Sequence, residues 1–154
     1  MRALFTYNWQ VREEWLAWCR QLPEEELLRE RIGGMGSILR TLFHIIDVEC
    51  SWIQALAKEP VEDPDFEHYM SLERIDDYNE ECRRSVARYV NGWSSDLEHV
   101  KVIPPWEEDE IAYSCGEVMR HVLVHEIHHV GQLSIWAREM NVAPVSASYI
   151  GRDL

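Results

Sequence analysis

Apolar residues recur at spacings of three and four along four long segments of this 154-residue chain. That spacing places them on one face of an α-helix, which can then be buried against other helices. The segments extend from about Leu4 to Pro23, Ser37 to Pro60, Leu72 to Trp93 and Ser114 to Met140. Strand signals are few, the clearest being a weak one for a short strand or hairpin at 100–103. The pattern therefore predicts an all-α protein, with a four-helix bundle as its architecture.

Two of the helix starts carry specific capping signals. The second segment follows the glycine-rich break at 33–36, where Ser37 is a natural N-cap. The fourth opens with Ser114 followed three residues later by Glu117, the arrangement of a capping box. These signals predict helices that begin at about residues 38 and 115.

The segments between the helices differ in length. A polar, proline-containing loop is predicted over about 58–70, and a long irregular connection over 94–113 between the third and fourth long helices. The tail, 141–154, is predicted to add a short helix or to lie across the other helices. No internal repeat appears, and the length suits one hydrophobic core, so a single domain over 1–154 is expected.

The acidic composition bears on possible partners. The formal net charge is −13, and the only lysines are Lys58 and Lys101. Nucleic-acid binding needs clustered basic side chains, and this chain has no basic stripe, so a nucleic-acid partner is not expected. The first residues form neither a secretory signal nor a membrane span, so we expect a cytoplasmic protein without a membrane partner.

Four cysteines are spaced 31 to 33 residues apart, and no two form a C-x-x-C pair. This spacing suggests neither a zinc ribbon nor a thioredoxin-type motif. We expect them to be small buried side chains in a reducing compartment. They are Cys19, Cys50, Cys82 and Cys115.

Three histidines are the main candidates for chemistry. His125 and His129 are four residues apart on the fourth long helix, so their side chains point the same way. His44 occupies the corresponding apolar face of the second long helix. Two imidazoles from one helix and one from another can bind a metal ion and leave a coordination position open, as reactive metal sites do.

Other interpretations of these histidines stay open. A lone histidine on an apolar face is usually a core residue hydrogen-bonded to a carbonyl or hydroxyl, which is the simpler interpretation of His44 alone. His121 lies one turn before His125 and could replace a ligand, whereas His128 is predicted at the edge of that face. His68 and His99 fall in or beside loops, where a surface position is expected.

The segment from His125 to His129 also spells the zinc-protease string H-E-x-x-H. The extended protease motif would have glycine and histidine where this chain has Gln132 and Ile135, and the other form needs a glutamate near 148–150. Neither third ligand is present. Glu126 projects about 100° away from His125, so we assign it no catalytic role.

A di-iron carboxylate site is disfavoured as well. Such sites need E-x-x-H motifs on two helices together with two further glutamates. Glu126 and His129 supply one motif, but the second long helix offers none, because Glu49 follows His44 by five residues.

Three motifs together resemble the DinB superfamily of bacterial metal-binding four-helix bundles. Tyr7-Asn8-Trp9 is similar to its opening Y-N-x-W element, and Gly36-Ser37-Ile38 followed by His44-Ile45, Glu49 and Trp52 is similar to its second-helix pattern. His125-x-x-x-His129-x-Gly131-Gln132 is similar to its fourth-helix signature. The likeness extends over nearly the whole chain.

The resemblance implies that His44, His125 and His129 bind a divalent metal ion, with zinc or nickel the best suited to imidazole. It also implies a homodimer, since many members are dimeric. Val130 stands where the motif commonly has arginine, which removes a cation and puts any substrate contact of that arginine in doubt. Gly131 lies beside a ligand, and three interpretations of it stay open: a close approach of another backbone, room above the metal ion, or simple packing.

Characterised relatives are metal-dependent thiol transferases and isomerases, and some are treated as hydrolases. The resemblance thus implies an enzyme acting on a small molecule, with a low-molecular-weight thiol as a possible substrate. A non-catalytic metal-binding or dimerisation module is the second hypothesis, because no base, nucleophile or cofactor motif is identifiable. In a third, the histidines are structural and bind nothing.

Overall fold

Helices make up most of the chain, as predicted. The computed structural model describes residues 1–154 and contains five α-helices. They are α1 (Arg2–Cys19), α2 (Glu24–Leu28), α3 (Ile38–Ala57), α4 (Leu72–Asn91) and α5 (Cys115–Glu139). The four long helices match the four predicted segments, and the all-α class is confirmed. The short helix α2 was not predicted, and it follows Pro23, whose fixed φ suits a helix start.

The capping signals act as expected. The Ser37 hydroxyl accepts a hydrogen bond from the backbone N–H of Arg40 at 3.2 Å, and α3 begins at the next residue. At the start of α5, Ser114 and Glu117 satisfy each other's backbone N–H groups in a complete capping box. The break at 33–36 contains three glycines with positive φ, a conformation that other residues adopt at a cost.

The long connection between α4 and α5 contains the only strands. Strand β1 (Lys101–Val102) pairs antiparallel with β2 (Tyr113–Ser114), directly before α5. The predicted strand or hairpin at 100–103 is therefore confirmed in part, because β1 lies in that range and its partner β2 lies outside it. A 3₁₀ helix spans Ser95–Leu97, and another, Phe66–Tyr69, ends the loop that follows α3.

The tail beyond α5 forms no helix, so that alternative was wrong. It lies along α1 instead. The Tyr7 hydroxyl donates to the carbonyl of Ala147 at 2.8 Å, and the Trp18 indole N–H donates to the carbonyl of Ala143 at 2.9 Å. These bonds join side chains of α1 to the backbone of the tail.

Helix α3 packs against both α4 and α5, and α1 packs against the same two helices. The first residue of the predicted α1 stripe, Leu4, is 41 % exposed, which corrects that prediction, and Phe5 is fully buried in its place. Leu4 lies in the first turn of α1, at the end of the helix, and beyond it the buried face of α1 is wider than one row of residues.

A layer of buried polar side chains divides the core in two. One cluster of apolar residues contains Trp15, Phe43 and Trp136, and the other contains Phe5 and Met119. On α5, for example, Glu126 stands between Leu123 of one cluster and Val130 of the other. The layer consists of Asn8, Arg12, Glu49, Asn79 and Glu126, each at most 3 % exposed.

The four cysteines are buried and free, as predicted. None of the helices is both long enough and apolar enough to span a membrane.

Candidate metal centre

The three predicted histidines meet at one point between α3 and α5. The Nε2 atom of His125 lies 3.1 Å from Nε2 of His44 and 3.2 Å from Nε2 of His129. His44 and His125 are 81 residues apart in the chain, so the packing of the two helices brings them together. The three side chains form a group whose ligand atoms all lie within 4.8 Å of one another.

These spacings suit a shared metal ion. Two nitrogens bound to one tetrahedral ion at roughly 2.0–2.1 Å lie about 3.3 Å apart, close to the observed separations. Three imidazoles on one side of such an ion leave a fourth position for water or substrate. The donor set therefore fits a divalent ion of the kind that imidazole favours.

Gln132 determines which nitrogen of His129 faces the group. Its Oε1 atom can only accept, and it lies 2.6 Å from Nδ1 of His129, so this nitrogen carries the proton. In the neutral ring Nε2 then has a free lone pair, directed toward His125. The Gln132 amide nitrogen lies 3.0 Å from Nε2 of His128, which holds the glutamine in place.

Burial keeps the three imidazoles in the form that binds metal. Burial is the main cause that lowers the pKa of His44 and of His129 below the usual 6.5. It also lowers the pKa of His125 to about 3, with further contributions from the neighbouring histidines. All three rings are therefore neutral at pH 7, as metal ligation requires.

Two of the three ligand candidates are less buried than their position in apolar stripes predicted. His129 is buried, but His44 and His125 are only half-buried. The physical reason, for His44, is that one side of its ring faces α5 and another side faces a cavity. One cavity, of about 470 Å³, is lined by His44, Arg40 and Phe66 among others. The site is thus open on one side.

The remaining histidines lie outside the group. His121 is exposed, with its ring 5.6 Å from the Trp52 ring and 5.8 Å from the His125 ring. His128 is exposed and contacts Gln132, which agrees with the predicted position at the edge. His68 and His99 are exposed, as expected.

Glu126 points away from the histidines and into the polar layer of the core. Arg12 donates to both of its carboxylate oxygens, at 2.9 and 2.6 Å, and also to Glu49 at 2.9 Å. Glu49 in addition accepts from the Trp9 indole at 3.1 Å. The ion pairs join α1 to α3 and α5, the two helices that carry the histidines.

Sequence reasoning missed the role of Arg12. A usable signal was present, because Arg12 lies three residues after Trp9 and four before Leu16, in line with buried positions of α1. Burial by itself would lower the pKa of Arg12, but Glu126 and Glu49 more than compensate and raise it. Arg12 is therefore a fixed positive charge between two carboxylates.

Two residues of the fourth-helix signature have simpler roles than their positions suggested. Val130 is buried among the apolar side chains of the core, so an arginine there would not extend directly into the open side of the site. Gly131 is exposed, and a Cβ atom added to it would meet nothing within 4 Å. Neither packing nor close backbone approach within one copy of the chain requires this glycine.

Two comparisons over the whole chain show the family to which it belongs. The DinB family model matches residues 1–153. The chain is also similar to a Bacillus subtilis (strain 168) protein named "Uncharacterized protein YizA", with 45% identity over 154 residues, which is 100% of this chain and 96% of that protein. The chain belongs to the DinB family.

Replacing Gln132 with alanine is expected to weaken metal binding by roughly 10- to 100-fold, the usual cost of losing an outer partner of a histidine ligand. The reason is that His129 loses the acceptor that fixes its tautomer. Competition with a chromophoric chelator measures the affinity. Glu139→Gln, at an exposed position near the end of α5, is the control. Equal affinities of the Gln132→Ala variant and wild type would contradict this role.

Proposed function

We propose that this protein is a divalent-metal-dependent enzyme of the thiol transferase, isomerase or hydrolase type that acts on a small molecule. The observation that carries the proposal is the convergence of three Nε2 atoms beside an open cavity. His44, His125 and His129 would hold the ion, with zinc or nickel the best fit to three imidazoles. A bound ion would supply Lewis acidity, which lowers the pKa of a coordinated thiol or water.

The state of Glu126 favours thiol chemistry over peptidase chemistry. In H-E-x-x-H peptidases the glutamate activates water beside the metal. Here both oxygens of Glu126 accept from Arg12, and the side chain is 2 % exposed, so it is not available as that base. A thiol needs less help, because its pKa of about 8.5 is far closer to neutrality than that of water.

The test is turnover by the metal-loaded protein. Zinc- and nickel-loaded samples would be incubated with cysteine, glutathione and other bacterial thiols and with a panel of electrophiles, and loss of free thiol followed. Wild type is expected to exceed the His44→Ala, His125→Ala and His129→Ala variants, while the His121→Ala variant keeps its activity. Equal rates for wild type and all three ligand variants would refute the enzyme proposal and favour a non-catalytic metal-binding module.

Metal release is expected to begin well below pH 6.5 as the solution is acidified. A proton competes with the metal only near the pKa of the folded, metal-free imidazole, and that pKa is lowered for all three histidines, to about 3 for His125. The affinity therefore falls as pH drops, but later than for free imidazole. A titration of the cobalt-substituted protein by visible absorption measures this. Half-release at or above pH 6.5 would contradict it.

We also propose a homodimer that forms through the exposed face of α5. Val124 and Ile135 are 65 % and 56 % exposed on a stripe that also contains His128 and Gly131. The absence of a side chain at Gly131 would let a second helix approach closely. Light scattering after size exclusion tests this: Ile135→Glu is expected to yield monomers and Glu139→Gln to leave dimers. A wild-type monomer would refute the proposal.

The packing of α1 and α3 against both α4 and α5 supports our proposal that the four long helices form a four-helix bundle within a single domain, 1–154. An experimental structure would test it. The four free cysteines support a cytoplasmic location, where thiols stay reduced.

A further inference from the structure

A second cavity lies farther along α3 from His44, and the proposed function does not involve it. It has a volume of about 500 Å³ and lies against α3, bounded by the loop after that helix and by the connection before α5. We call it the tryptophan cavity, because Trp52 and Trp106 form one wall, with ring centroids 4.9 Å apart and planes at 87°. Its size suits a small organic molecule.

The tryptophan cavity lies next to the histidine site along α3. Val48, which lines it, lies one helical turn after His44 and on the same face. Asp63 lines both this cavity and the one that contains His44. On the other side, the Trp52 ring lies 5.6 Å from the ring of His121, one turn before His125. A molecule in the cavity would therefore extend toward the candidate metal.

All the charged side chains that line the cavity are acidic. Asp47, Glu62 and Asp63 line the cavity, and no lysine or arginine does. None of the three carboxylates forms a salt bridge with a basic side chain. Asp47 is half-buried and accepts a hydrogen bond from the Tyr78 hydroxyl at 3.0 Å, which fixes its orientation.

We propose that the tryptophan cavity binds the cationic end, a primary amine or a guanidinium, of a small substrate with an apolar body. Tryptophan rings attract organic cations through their faces, and carboxylates add a charge-assisted hydrogen bond. Trp52, Trp106 and Val48 provide apolar surface that a hydrated inorganic ion would not use. The inference rests on the proposed function, since the three histidines would hold the metal toward which the rest of the substrate extends.

Two probes that share a phenethyl body and carry opposite charges test the inference. Phenethylamine and 3-phenylpropanoate would be titrated by calorimetry into metal-free and nickel-loaded wild type. The amine is expected to bind at least about tenfold more tightly than the acid, because a like charge among these carboxylates is strongly disfavoured. In the nickel-loaded protein, paramagnetic relaxation of the amine's protons should place it beside the metal. Equal affinities for the two probes would overturn the inference.

Substitutions inside and outside the cavity test where the amine binds. Asp63→Asn and Trp106→Ala are each expected to weaken amine binding by about two- to fivefold, as removal of one partly exposed charge or ring does. Glu67→Gln removes the same charge as Asp63→Asn from an exposed position outside the cavity, and it should change nothing. A loss as large in Glu67→Gln would mean that net charge alone attracts the amine, which would overturn the site.

The two proposals can fail separately. Metal uptake without amine binding would refute the cation site and leave the metal-dependent function standing. Amine binding to a protein that takes up no metal would refute the proposed function, while the cation site would be supported by its own variants.

Discussion

Replacement of Arg12 by methionine is expected to lower the free energy of unfolding by about 3–5 kcal/mol, the usual cost of removing one partner from a buried ion pair. Arg12 is 1 % exposed and donates to both Glu49 and Glu126. Methionine fills much of the same volume but leaves two carboxylates in the core without a cation. Urea denaturation followed by circular dichroism measures the change from the midpoint and slope.

A matched control separates burial from charge. Arg20→Met removes the Arg20–Asp76 ion pair just beyond the end of α1, where Arg20 is 55 % exposed, and should cost at most about 1 kcal/mol. The loss of unfolding free energy in Arg12→Met should also be smaller at pH 5 than at pH 7. Burial raises the pKa of Glu126 and Arg12 opposes that rise, so without the arginine the folded-state pKa is higher still and protonation at lower pH favours the folded protein. Equal losses in the two variants would contradict a special role for the polar layer.

Replacement of His44, His125 or His129 by alanine is expected to abolish stoichiometric metal binding, with an affinity loss greater than the roughly 100-fold upper limit for an outer partner. Each variant leaves only two of the three converging nitrogens. Thermal unfolding with and without zinc or nickel gives a second readout. Wild type should gain about 4 kcal/mol at a free metal concentration of about 1,000 times the dissociation constant, and the variants almost nothing.

His121→Ala is the control, since His121 is exposed and lies outside the group of three. It should retain metal in full by elemental analysis. Loss of metal in His121→Ala with retention in His44→Ala would show that a different set of histidines binds the ion. Absence of metal from reloaded wild type would favour the structural interpretation of the histidines.

Local sequence signals predicted the long helices and their starts well. Ser37 and the pair Ser114 and Glu117 cap their helices in the predicted manner, because a cap depends on residues three positions apart. The spacing of His125 and His129 likewise required nothing beyond the geometry of one helix. The resemblance to the DinB family added His44, which spacing alone left ambiguous.

Tertiary packing decided the rest. No local pattern could show that Nε2 of His44 lies 3.1 Å from that of His125, or that Arg12 pairs with carboxylates 37 and 114 residues away. The three histidines themselves, and the direction in which Glu126 projects, followed from helical periodicity and family motifs in the sequence. The distances between side chains on different helices, the partner of each buried charge and the cavity beside the histidines depend on how the helices pack, because each is a property of residues far apart in the chain.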